Sequence, residues 1–130
     1  MVLAAAGSNT NAAVDLQISV NGEKEPVDSE FWLEPSQTIE LDIWTAIDIP
    51  VYEIGYWMLV CDTSVGDISG GVSVHPCMAV AGKTQDTAGV IPPEGEEGIW
   101  GIIGWFEMTP VPAGTVLADS FIFHCEGTHA

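Results

Sequence analysis

The sequence predicts an all-β chain folded as an antiparallel β-sandwich or jelly roll. Three observations carry this. Strand-length runs that are apolar or alternating recur along the 130 residues. Gly, Pro and Asn turn signals separate them, and no segment shows a sustained helical period with caps. Short strands broken by such turns are the pattern of two packed antiparallel sheets.

Residues 14–20 open the pattern: Val14, Leu16, Ile18 and Val20 alternate with Asp15, Gln17 and Ser19. Successive side chains of a strand point to opposite faces, so this strand is half buried. Asn21-Gly22 closes it with a strong turn signal. An acidic loop containing Pro26 leads to a short strand at 30–33, and Pro35-Ser36 turns the chain into 37–45. There Ile39, Leu41 and Ile43 oppose Thr38, Glu40 and Asp42, which puts Trp44 on the polar side. Pro50 precedes a strand at 52–61, and a turn at 62–66 leads to a strand at 67–74. Gly70-Gly71 weakens that strand and suggests a bulge. Residues 76–98 read as a long surface loop with one short strand near 78–80; Pro92-Pro93 and the acidic cluster Glu94, Glu96 and Glu97 fall in it. Strand resumes at 99–108, Pro110 and Pro112 mark a turn, and 114–125 is the last strand, bending near Ala118-Asp119. One sandwich domain, 14–130, follows an N-terminal extension at 1–13, with no internal repeat.

Two segments break the alternation. Residues 54–61 (IGYWMLVC) and 99–106 (IWGIIGWF) are apolar on both pleat faces. A strand apolar on both sides needs cover on both sides. One face lines the core, and no predicted helix covers the other. The second face therefore meets something outside the domain: another copy, a partner or a flat ligand. Tyr56, Trp57, Met58, Trp100, Ile102, Trp105 and Phe106 are the candidate contact residues. Trp100 and Trp105 differ in parity, so one of the two faces outward. Trp also serves sugar-binding modules, where its flat face stacks on a pyranose ring and its N–H donates. The accompanying Met58, Ile102 and Phe106 lack the amides and acids that read sugar hydroxyls, which favours a subunit contact.

Nineteen acids face two lysines, Lys24 and Lys83, with no arginine, for a formal net charge of -17. So negative a surface repels phosphate backbones and anionic membranes, which excludes nucleic acid as a partner. No stretch approaches the ~20 apolar residues of a membrane helix. With 47% hydrophobic residues the chain is no disordered acidic tail. An extracellular or cell-surface setting suits this balance. Residues 1–7 (MVLAAAG) read as the stump of an export signal, an expression start, or a strand that docks elsewhere through Met1, Val2 and Leu3.

Three cysteines permit one disulfide. Cys61 with Cys77 brackets a strand–loop–strand unit, Cys61 with Cys125 is the rival pair, and an unpaired Cys125 in FIFHC suits the core. The absence of CxxC removes the usual zinc and thioredoxin-like spacings. His75, His124 and His129 form neither HExxH nor HxH. His124 should lie opposite Phe123 and Cys125, on the surface. Ser120, His124 and Asp119 make no triad, because neighbours on one strand alternate in direction. With so many acids, any carboxylate pair for glycoside hydrolysis is an arbitrary choice. No reaction is expected of this chain. Calcium is the cofactor to consider: Asp62 and Asp67 flank a tight turn and offer the hard oxygens it takes.

LQISVNG (16–22), LEPSQTIELDI (33–43) and GTVLADSFIFHCEG (114–127) together resemble cohesin-like, carbohydrate-binding-type β-sandwich domains of large secreted bacterial proteins, those of planctomycete-like bacteria most closely. The likeness covers the chain from about Val14 onward. It implies a cohesin-like jelly-roll topology and, for function, a carbohydrate-binding or cohesin-type module within a larger secreted scaffold, set beside the non-catalytic structural role that the two apolar strands suggest. Such domains run on past an FHCEG-like strand, whereas this chain stops at Thr128-His129-Ala130. A sandwich lacking its final strand leaves a groove of unpaired backbone groups, and residues 1–6 of another copy would fit it. The expectation is thus a homo-oligomer or polymer, a fibre built by strand exchange, with a protein or carbohydrate partner as the alternative.

Overall fold

The structure is a computed structural model that describes residues 4–7, 15–22, 33–49, 53–84, 92–105 and 109–126. These residues form eight strands: β1 (Ala4–Gly7), β2 (Leu16–Val20), β3 (Thr38–Thr45), β4 (Glu53–Asp62), β5 (Gly66–Ser73), β6 (Met78–Lys83), β7 (Glu96–Trp105) and β8 (Val116–Cys125). They build two four-stranded sheets, β1-β4-β7-β6 and β2-β3-β8-β5, every pairing antiparallel. The all-β sandwich predicted from alternation and turn signals is therefore what the chain forms.

The core follows from parity. On β4 the odd positions Trp57, Leu59 and Cys61 are buried, and on β8 Phe121, Phe123 and Cys125 are. Leu41 and Ile43 from β3, Ile68 from β5, Met78 from β6 and Ile99 and Ile103 from β7 belong to the same buried cluster. Trp57 ties the layers together. Its ring meets Phe121 of the other sheet edge-on, centroids 5.8 Å apart and planes at 81°. Gly101 is its cross-strand partner. A side chain there would collide with the indole and with the Ala79 carbonyl. The bare glycine lets the indole cross β7 and donate from Nε1 to Ala79 O on β6, at 3.1 Å.

Several local expectations change. Glu96 and Glu97 belong to β7 rather than to a loop, because Asp62 and Cys61 of β4 pair with them in unbroken register. Leu33 lies outside any strand and residues 30–32 are outside the described set. Gly70, Gly71 and Ser120 all take positive φ, yet the β5–β8 register is the same on both sides of them. The shifts fall instead where β8 meets β3, between Leu41 and Trp44, and where β6 meets β7, at Val80/Gly82. Bulges turn a strand, and β3 is buried on both faces from Leu41 to Thr45. Trp44, expected on the polar side, is accordingly buried, as is Asp42, whose carboxylate accepts from Ser19 Oγ at 3.5 Å.

The chain ends also differ from expectation. β1 pairs with β4 of its own chain, Ala4 opposite Val60 through Gly7 opposite Trp57. Among the described residues no groove flanks the last strand, since β8 lies between β3 and β5. The edges belong to β1, β6, β2 and β5.

Candidate functional site: an apolar sheet face

The outer face of the β1-β4-β7-β6 sheet is built from the even positions of its two central strands. Tyr56 stands opposite Ile102 and Met58 opposite Trp100. Side chains so paired share one face and touch. Ile54 is 60% exposed, Tyr56 50% and Ile102 44%, with Met58 and Trp100 half-buried between them. The Tyr56 and Trp100 rings meet diagonally, centroids 6.1 Å apart and planes inclined at 57°. Exposed Ala79 of β6, the partner of Ile102, widens the face without adding polarity. Among the described residues, this surface carries no charge from Ile54 to Met58 and across to Trp100 and Ile102.

The other sheet makes the contrast. Its outer positions include Thr38, Glu40, Asp67, Ser69 and His124, the polar-out alternation of a solvated antiparallel sheet. Exposed Val72 and Val74 lie at its β5 edge, away from the apolar face.

Of the contact residues expected from sequence, Tyr56, Met58, Trp100 and Ile102 come together on this face. Trp57 does not. It is 1% exposed, because its odd parity turns it inward against Phe121 and Gly101. Met1, Val2, Leu3, Phe106 and the side chain of Trp105 lie outside the described residues. Ile54, the most exposed large apolar residue of the face, belongs to the site and is readable from parity with Tyr56 and Met58. Ala79 gave no signal, since only the β6–β7 register brings it there.

The disulfide between Cys61 and Cys77 is not formed; all three cysteines are buried and none is in a disulfide. β7 separates the two strands concerned. Cys61 pairs with Glu97 at one end of β7, while Met78, next to Cys77, pairs with Ile103. Six residues of strand are about 20 Å, far beyond the ~7 Å limit between bridged Cα atoms. Burial, followed by the nearby carboxylates Asp67, Asp62, Glu96 and Glu97, pushes the Cys61 thiol up to about 12. Burial also raises Cys77, to about 11, against a backbone hydrogen bond that lowers it.

The two carboxylates proposed for calcium have different partners. Asp62 Oδ1 accepts from Ser64 N–H at 2.8 Å and from Ser64 Oγ at 2.7 Å, closing its own turn. Asp67 faces His124 instead. A carboxylate committed to its turn and another beside an imidazole do not make the all-oxygen shell calcium takes. Among the described residues no helix is long and apolar enough to cross a membrane. In comparisons with known proteins, no family model matches this chain, and no curated protein or solved structure shows significant similarity to it.

Proposed function

We propose that the protein is a non-catalytic contact module that works by sheet-face association, two copies packing their β4/β7 faces together in an extracellular setting. One observation carries this reading: Ile54, Tyr56 and Ile102 stay about half exposed in a charge-free row, on a chain that is otherwise densely acidic. Two flat antiparallel faces can stack about 10 Å apart with interdigitating side chains. A self-complementary face of this kind gives a two-fold dimer. Strand exchange into a fibre has less support, because β1 already fills the β4 edge within one chain. A sugar platform has less support too. The Tyr56 and Trp100 planes are inclined at 57°, and their neighbours Ile54, Met58 and Ile102 offer no side-chain hydrogen bond to a hydroxyl.

Charge sets the condition for association. Two copies at -17 each repel, and salt screens that repulsion. Sedimentation velocity across protein and salt concentration tests the reading. A dimer that strengthens as salt rises, and that Ile102→Glu abolishes, is the expected result. A monomer at every concentration and salt, or a dimer indifferent to Ile102→Glu, would overturn it. Retention on an insoluble polysaccharide, lost in Trp100→Ala, would point to the sugar reading instead.

A further inference from the structure

We propose that Asp67, His124 and Glu126 form a binding site for a divalent transition ion, zinc in particular, on the outer face of the β2-β3-β8-β5 sheet. Register brings the ligands together. Asp67 of β5 is the cross-strand partner of His124 on β8. Glu126 follows His124 by two positions, the spacing that returns a side chain to the same side of an extended chain.

The distances suit a metal better than they suit direct contact. His124 Nδ1 lies 3.7 Å from Asp67 Oδ1 and 3.7 Å from Glu126 Oε1. One ligand atom from each of the three residues falls within 4.8 Å of the others. Separations of this size are too long for hydrogen bonds. Ligands about 2.0–2.1 Å from a tetrahedral zinc stand about 3.4 Å apart, so shifts of a few tenths of an ångström bring each carboxylate to that separation from His124 Nδ1, and side-chain rotation draws the two carboxylates, within 4.8 Å of each other, the rest of the way. The side chains are 39%, 50% and 57% exposed for His124, Asp67 and Glu126. They have room for that adjustment and leave the fourth position open to water or to a donor from another molecule.

The backbone beneath is fixed. His124 sits in a central strand, with Thr38 of β3 opposite it on one side and Asp67 on the other. Glu126, just past β8, is tied down by its N–H donating to Val65 O at 3.0 Å. A shallow hollow adjoins the ligands, lined by Thr63, Gly66, Lys83 and Glu97 together with Asp67 and Glu126. Its carboxylates outnumber its single lysine, which favours a cation.

The ligand chemistry selects the ion. Calcium and magnesium take oxygen shells, whereas one imidazole with two carboxylates suits zinc and its first-row neighbours. The site is independent of the apolar face, which lies on the other sheet.

Calorimetric titration of the full chain with zinc chloride tests it, with circular dichroism confirming that each variant is folded. The expected result is one saturable ion per chain. Its affinity should fall roughly tenfold or more in both His124→Ala and Glu126→Gln, and stay unchanged in His75→Ala. Calcium should bind more weakly and without regard to His124. Cobalt substitution should give a visible absorption band that His124→Ala removes. Zinc binding that is absent, or that survives His124→Ala and Glu126→Gln undiminished, overturns the proposal. Calcium binding as tight as zinc overturns it too.

Discussion

Tyr56 and Trp57 are neighbours on β4, and substituting them should give opposite results. Trp57 is 1% exposed, donates to Ala79 O at 3.1 Å and packs edge-on against Phe121 at 5.8 Å. Truncation to alanine in such a place costs about 3–5 kcal/mol. A domain of this size is stable by about 5–15 kcal/mol, so Trp57→Ala removes about a fifth or more of the total. With a urea slope of about 1–3 kcal/mol/M, its unfolding midpoint should drop by roughly 2 M. Tyr56 is 50% exposed. A ring side chain buries about 200 Å² when fully covered, so its free half is about 100 Å². At about 25 cal/mol/Å² that area contributes about 2.5 kcal/mol per copy to a face-to-face contact, or roughly sixtyfold in Kd for each copy. Tyr56→Glu should therefore weaken the dimer at least that much while moving the urea midpoint little. Urea melts followed by circular dichroism, paired with sedimentation velocity, read both quantities on both variants. If Trp57→Ala disperses the dimer without lowering stability, or Tyr56→Glu unfolds the chain, the assignment of faces is refuted.

Three further outcomes are expected. Gly101→Ala would place a methyl 2.6 Å from the Trp57 indole and against the Ala79 carbonyl, an overpacking that costs about 1–3 kcal/mol; an unshifted urea midpoint would show that the indole does not lie across β7. Cys61 and Cys77 ionise far less readily in the fold than the ordinary 9.0, so their protonated forms favour the native state. That stability is intact below pH 9.0 and is lost as pH rises toward about 12 for Cys61 and about 11 for Cys77. Cys61→Ala should flatten the alkaline loss, and native thiols should resist iodoacetamide until urea exposes them; fast labelling of the folded chain counts against the burial. Burial holds the His75 imidazole below its ordinary 6.5, and its Nδ1 accepts the Cys77 N–H at 3.1 Å. The unfolded chain then binds the proton first, so this contribution is present above pH 6.5 and lost as pH falls through the lowered value. Melting temperatures of the wild type and His75→Gln should converge on acidification, and parallel curves would exclude the linkage.

Much of this molecule was legible because strand periodicity is local. The alternation of Leu16, Ile18 and Val20, and of Ile39, Leu41 and Ile43, places strands from neighbouring residues alone. Asn21 and Gly22 take the positive φ their turn requires, 52° and 82°. The outward contact row was half legible. Both apolar runs were visible, but without the sheet order there was no way to say which parity faced the core. Sequence alone therefore groups Trp57 with Tyr56, and the pairing of Trp57 with Gly101 separates them.

An all-β chain, a dense negative charge and two strands too apolar for one face can be read from the residues in order. That β1 closes the β4 edge in its own chain, that Cys61 and Cys77 stand beside opposite ends of β7, and that Asp67 meets His124 emerges only once the strands pair. Hydrogen-bond ladders join residues distant in sequence. Period-two alternation tells which residues share a side of a strand, but only the pairing of one strand with another tells what that side meets.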